Sequence, residues 1–338
     1  MTTIRDVAQL AGVSIATISR VLNNSEKVSP DTAAHVRAVI KELGYVYNPP
    51  LANRRNSADR PLLFAIILPT LANPYFSELL DIVEQEAQFL GRALLVFNSH
   101  GDAQRELALI NACKQYKIDG LFVVPSSRST VHLTSFSKPS FPIVILTQLI
   151  SGITSVAVDH IEGGAQVAEH LVSMGHTRIG YLGAIDDSEQ KFGGFRDKLI
   201  ELGVPLSPEN IIQTPALVAS ELTDVFREYL DAHPVLPFTS IFAFNDVAAQ
   251  QVMDVLHQRG YQIPEQVQVV GFDNTLLAQV MNISSVAQPM REIGRLGCQE
   301  MMRLIEGREL DTHHLTLSPR LVLRNSSVKV SKRKFHTV

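Results

Sequence analysis

Most of the features that announce catalysis, metal binding or membrane insertion are missing from this sequence. Only two cysteines occur, Cys113 and Cys298. They have no metal spacing and build no disulfide framework, so two reduced thiols in a cytosolic protein are expected. No apolar run approaches the ~20 residues that span a bilayer; "PLLFAIILP" is short and stops at Pro69. Thr2, Thr3, Ile4, Arg5 and Asp6 do not form the basic-then-apolar pattern of a signal peptide. There is no glycine loop for phosphate, no nucleophile elbow and no metal-ligand cluster. An enzyme, a cofactor, a metal and a membrane partner are therefore not expected, and the expected location is the cytoplasm.

What is present is ordinary in amount and uneven in placement. Over 338 residues, 45% are hydrophobic and 19% charged, enough for two or three domains with real cores. The net charge of −4 conceals an asymmetry. Residues 1–60 hold 8 basic against 5 acidic side chains, residues 61–323 hold 17 against 29, and residues 324–338 hold 5 basic and no acidic ones. A basic head on an acidic body suits a polyanion-binding module joined to something else.

The head reads as three short helices. "TIRDVAQLA" places Ile4, Val7, Ala8 and Leu10 at helical spacing, with Thr3 as N-cap. Gly12 ends that helix and Ser14 caps the next, which runs to about Leu22. The third starts at Ser29-Pro30, with proline at its first position, and carries Val36, Val39, Ile40 and Leu43 on one face. Helix, four-residue turn with glycine, helix is the helix-turn-helix pattern. Residues 47–60, "YNPPLANRRNSADR", are polar, basic and rich in proline, and read as a linker.

From residue 61 the texture changes. Short apolar runs ("LLFAIILP", "ALLVFN", "GLFVVP", "PIVILT", "SVAVD") alternate with amphipathic helices, and after residue 159 the cycle restarts through "RIGYLGA", "SIFAFN" and "VQVVGFDN". Buried strands alternating with helices imply α/β lobes with parallel sheets, and the length suits two with a cleft between them. Ligands in such folds sit beyond the carboxyl ends of strands. The candidates there are Asn73 to Phe76, Asp159, Asn245 and Asp273.

"TIRDVAQLAGVSIATISRVLN", "ELGYVYN", "NPYFSELL", "VAVDHIEGG", "HLVSMGHTRIGYLG", "IPEQVQVVGFDN" and "PRLVLRNSS" together resemble the LacI/GalR family of bacterial transcriptional regulators, in that family's order and over essentially the whole chain. The resemblance implies a helix-turn-helix headpiece (1–46), a hinge (47–60), a two-lobed periplasmic-binding-protein-like body for effector binding and dimerisation (61–327), and a basic disordered tail (328–338). It implies a homodimer on a palindromic double-stranded DNA operator. Residues 14–23 would enter the major groove, with Ile15, Ala16 and Arg20 facing bases and Ser14, Thr17 and Asn23 on phosphates. Thr3 belongs to the same surface. The hinge departs from the family pattern, because Leu51 and Arg54 stand where an alanine and an intercalating leucine are expected; Asn48 can still cap a hinge helix.

For the body the resemblance implies a small polar effector, a sugar or sugar derivative, on Tyr75, Phe76, Asp159, Lys191, Asn245 and Asp273. Carboxylates accept paired hydrogen bonds from vicinal hydroxyls, and aromatic faces receive rings. Asp273 could instead cap the following helix, and Phe76 could be core. Lys191 stands where the family has an arginine, giving a point charge and no fork; Ala216 occupies the usual aromatic position, and His160 reads as structural. The alternatives are control by a nucleoside or by a partner protein, and a cytosolic sugar-processing enzyme.

Overall fold

The computed structural model describes residues 4–14, 17–18, 21, 28–42, 62–126, 130–134, 141–185, 190–214, 219–307 and 313–328. The chain divides into two compact units, Met1–Leu62 and Leu63–Val338.

The smaller unit contains helices Ile4–Leu10 and Pro30–Glu42. Residues 17, 18 and 21 between them are also helical. Val7, Ala8, Ala11, Ile18, Val21, Val36 and Val39 form its core. These include the positions that helical spacing assigns to the inner faces of the first and third helices, joined by Ile18 and Val21. Gly12 takes a left-handed φ of 63° at the end of the first helix, a conformation that costs glycine nothing.

Among the described residues of the larger unit, the strands form two six-stranded sheets. The first has the order β2-β1-β3-β4-β5-β11, from Arg92–Asn98, Leu62–Leu68, Gly120–Val123, Ile143–Thr147, Ser155–Val158 and His314–Leu317. The second has the order β7-β6-β8-β9-β10-β12, from Ile211–Gln213, Ile179–Gly183, Ser240–Ala243, Gln268–Asp273, Ser284–Ala287 and Arg320–Val322. The paired registers are parallel, apart from β12, which runs antiparallel to β10 with Ser285 opposite Val322. Continuous apolar strands are what a sheet covered on both faces requires. Along β1, Phe64, Ile66 and Leu68 pack toward helices Pro74–Phe89 and Met290–Ile305, while Ala65 and Ile67 pack on the opposite face with Ile110 and Cys113 of helix Ala103–Tyr116.

The chain does not finish one sheet before starting the other. After β5 it enters helix His160–Ser173, whose Val167, Ala168 and Leu171 belong to the second sheet's core. After β10 it returns: Ile293, Cys298 and Met301 of helix Met290–Ile305 pack on the first sheet, and β11 forms that sheet's edge before β12 goes back to the second. Helices His160–Ser173 and Gln190–Glu201 pack through glycines. A Cβ on Gly164 would stand 2.1 Å from Lys191 O, and one on Gly194 2.0 Å from Ile161 O. That contact fixes where Lys191 lies.

Candidate functional site

In the head, Ser14 Oγ accepts from Thr17 N at 3.1 Å and lies 3.0 Å from Thr17 Oγ1. Ser14 is therefore the cap of the second helix, as its spacing suggested, and is exposed beside half-buried Thr17. Ile18 and Val21 face inward, so Ser14 and Thr17 begin the outer side of that helix. Ser29 caps the third helix, accepting from Thr32 N at 3.3 Å. Thr3, Ile15, Ala16, Arg20, Asn23, Asn48, Leu51 and Arg54 lie outside the described residues, as do the linker 47–60, Ala216 and the tail from 329.

In the body the strand ends converge as the parallel topology requires, but they divide the six expected residues into separate roles. Asp159 caps helix His160–Ser173, accepting from Glu162 N at 2.9 Å. Asn245 caps helix Asp246–Gln258, accepting from Ala248 N at 2.8 Å. Each therefore spends one oxygen on a backbone donor. Asp273 does not cap: the next helix is Leu276–Val280, and its N-cap position is held by Thr275.

Asp273 is instead the centre of a buried polar cluster drawn from both sheets. It is 3% exposed, and its φ of 106° is one that non-glycine residues rarely hold. Such a conformation costs on the order of 1–3 kcal/mol and persists only where its surroundings impose it. Here Gln288 Nε2 donates to Asp273 Oδ1 at 2.7 Å, the Asn73 side chain hydrogen-bonds it, and Lys191 Nζ lies 3.9 Å away. Gln288 Oε1 accepts from Tyr75 OH at 3.1 Å, so one glutamine at the β10 crossover ties a first-sheet helix to a second-sheet strand. Glu78 adds a further tie by accepting from Leu276 N at 2.8 Å.

Burial dominates the electrostatics. It lifts Asp273 to about 6, against the pull of Lys191, Gln288 and Asn73. Asp246 stands at about 7, raised by burial and by the charge of Asp273, although Ser285 and Thr275 donate to it. Burial, and Asp273 after it, push the Tyr75 phenol well above its ordinary value, which keeps it a donor. Burial and Lys191 push His160 down to about 3, so it is neutral across the physiological range, in keeping with its structural reading. Lys191 itself donates to Phe244 O at 3.3 Å and sits 4.1 Å over the Phe272 ring.

Beside this cluster lies a cavity of about 240 Å³. Pro69, Thr70, Asn73 and Phe76 form one wall, His100 and Gly101 lie at the end of β2, and Leu222, Phe244, Asn245 and Val247 form the other wall. Of the expected effector residues, Phe76 and Asn245 line it; Tyr75, Asp159, Lys191 and Asp273 do not. Residues not singled out from sequence, Thr70, His100, Asp246 and Gln288, are part of the arrangement. Gln288 directly follows a strand, and reading "SSVA" as β10 would have exposed it to the strand-end rule. Among the described residues no helix is long and apolar enough to cross a membrane, and no three metal-binding side chains gather.

Comparison with known proteins agrees at both ends of the chain. A model described as bacterial regulatory proteins, lacI family, matches residues 3–48, and one described as a periplasmic binding protein-like domain matches residues 168–327. The HTH-type transcriptional regulator DegA of Bacillus subtilis (strain 168) is 33% identical over 336 residues, covering 96% of this chain and 98% of DegA. The ribose operon repressor of Halalkalibacterium halodurans is 30% identical over 333 residues, covering 97% of each chain. Among solved structures, the complex of transcriptional regulator CelR with cellobiose matches with a TM-score of 0.69 at 25% identity, covering 97% of this chain and 100% of CelR.

Proposed function

The chain belongs to the LacI/GalR family of bacterial transcriptional regulators, and from that premise we propose that it is a repressor whose grip on a palindromic operator is set by a small sugar or sugar derivative held between the two sheets of its body. Its relatives are regulators and not enzymes. As a homodimer it would present two recognition segments, since one helix reads only a few base pairs and a two-fold axis doubles the site. Arg20 is assigned to a base, Ser14, Thr17, Asn23 and Thr3 to the backbone, and Asn48, Leu51 and Arg54 to the hinge's encounter with the minor groove. A bacterial regulator of this kind acts in the cytoplasm, where the chromosome lies.

The observation that carries the effector reading is the polar cluster between the sheets. Asn73, Asp273 and Gln288 lie at strand ends beside a cavity, and they join elements that a change in lobe spacing would separate. An effector that altered those contacts would change how the two linkers of a dimer can pair. One relative is the repressor of a ribose operon and one structural neighbour holds cellobiose, which favours a carbohydrate here.

The test is a thermal-shift screen of the full chain against sugars and nucleosides, followed by operator affinity with and without the best ligand. Coupling must be reciprocal, so an effector that weakens operator binding must itself bind the operator complex more weakly by the same factor. A tight ligand that leaves operator affinity unchanged would reject cleft control and favour control by a partner protein.

A further inference from the structure

The proposed function leaves the effector's charge undecided, and the cavity bears on it, provided that the body binds a small effector as proposed. The walls are largely apolar, through Phe76, Leu222, Phe244 and Val247. Among the described residues, no aspartate, glutamate, lysine or arginine lines them. His100 is exposed at the rim, where water and salt screen electrostatic attraction.

A phosphate or carboxylate would need a cation or a set of orphan backbone donors. The lysine beside the cluster is already engaged: Lys191 contacts Phe244 O, Asp273 Oδ1 and the Phe272 ring. Two helix N-termini flank the cavity, and such termini ordinarily receive anions. Neither presents a full set of orphan donors. In helix Pro74–Phe89 the proline has no N–H, Tyr75 N is held by Asn73 Oδ1 at 3.0 Å, and Phe76 N by Asn73 O at 3.1 Å. In helix Asp246–Gln258, Asn245 takes Ala248 N and Ala249 N, and Asp246 adds its own carboxyl to the first turn. A cationic ligand fares no better, because Asp273 is occupied by Gln288 and Asn73 and does not reach the wall.

Neutral hydrogen bonding remains available. Thr70 Oγ1 accepts from Ala72 N at 3.1 Å and keeps its hydroxyl proton, while Asn245 keeps its amide NH₂. The volume of about 240 Å³ lies below the ~300–1,000 Å³ of drug-sized pockets, which limits the occupant to roughly one sugar ring. We infer that the cavity takes an uncharged monosaccharide-sized ligand, its apolar face against Phe76 and its hydroxyls on Thr70 and Asn245, and that it rejects phosphorylated, acidic and amino derivatives.

The test uses full-length protein and calorimetric titration with glucose, galactose, xylose and ribose, each set beside charged counterparts: glucose 6-phosphate, gluconate, glucosamine, galactose 6-phosphate, xylose 5-phosphate and ribose 5-phosphate. The expected result is binding of at least one neutral sugar, with its charged counterparts about 100-fold weaker or worse, since a buried charge there finds no partner. A charged counterpart that matches its neutral parent overturns the inference and leaves the effector reading standing. Failure of every neutral and charged sugar to bind overturns the sugar reading and the inference together. Phe76→Ala and the shape-preserving Thr70→Val should each weaken the bound neutral sugar about tenfold or more. Unchanged affinity in both variants would put the ligand elsewhere and reject the assignment.

Discussion

Asp246, which opens the helix after β8, and Asp273, the last residue of the neighbouring strand β9, are buried carboxyls, and the charge of Asp273 helps to hold Asp246 at about 7. The groups facing them are few. Lys191, Gln288, Asn73 and the more distant Glu78 surround Asp273, while Thr275, Ser285 and the guanidinium of Arg324 act on Asp246. Both carboxyls stand above the ordinary 3.8, so the folded protein holds protons that the unfolded chain gives up.

A pH dependence follows. A carboxyl raised in the folded state contributes its full stability below about 4, where both states are protonated, and loses it as pH rises through about 6 to 7. Stability should therefore fall between pH 5 and pH 8. In Asp273→Asn that fall should shrink by on the order of 1–2 kcal/mol, because a neutral amide has no proton to lose and no longer raises Asp246. Urea unfolding of both proteins at the two pH values checks this; parallel pH profiles would reject it.

Gln288 should be hard to replace. Gln288→Leu leaves Tyr75 OH and Asp273 buried with a partner lost, at a cost of roughly 2–4 kcal/mol. Gln288→Glu keeps the size but sets a third carboxyl against Asp273. Its penalty should be larger at pH 8 than at pH 5, and urea midpoints showing equal penalties would count against the cluster as described.

Neighbouring glycines should behave oppositely. Gly194→Ala forces a methyl to 2.0 Å from Ile161 O and should cost about 2 kcal/mol or more, because backbone must move. Gly193, with nothing within 4 Å of its would-be Cβ, should accept alanine neutrally or with a gain of up to about 1 kcal/mol in helix propensity. Thermal melts of the two variants make the comparison.

In the head, Ser14→Ala removes the acceptor for Thr17 N and should lower stability by about 1 kcal/mol. Its effect on DNA should be uniform across operator sequences, as expected of a residue that sets register. Arg20→Ala should instead cost roughly 1–3 kcal/mol and relax preference at one base position per half-site. Binding to a set of single-base operator variants distinguishes them.

Neither cysteine should sense oxidants. Burial pushes the Cys113 thiol up to about 11, and burial with nearby Glu86 pushes Cys298 up to about 12. The native protein at pH 8 should therefore resist iodoacetamide, with both thiols reacting once it is denatured. Rapid labelling of the native state would reject this.

The sequence disclosed the elements whose signals are local. The continuous apolar run "LLFAIIL", the proline opening the third head helix and the Ser14 cap are all read within a few residues. Strand ends also pointed to Asn73, Asn245 and Asp273, because parallel sheets put their loops on one side. What stayed hidden depends on distant pairings. Asp159 and Asn245 carry the same side-chain chemistry whether they cap a helix or face a ligand, and only the fold shows each holding a backbone N–H. Lys191 reads as a free cation until Asp273, Phe244 and Phe272 are brought to it. Gln288 was missed because β10 is four residues long and carries two serines, too polar to stand out as a buried strand.

The return of residues 290–317 to the first sheet has a consequence for synthesis. The sheet that leaves the ribosome first is among the last parts to be finished, because its edge strand β11 and the helix bearing Ile293 and Met301 are translated after most of the second sheet. Until then, one side of Phe64, Ile66 and Val144 lacks its final cover, so the nascent chain carries an unfinished apolar surface for most of its elongation. Truncations short of residue 317 should consequently leave both sheets incomplete and the body less stable.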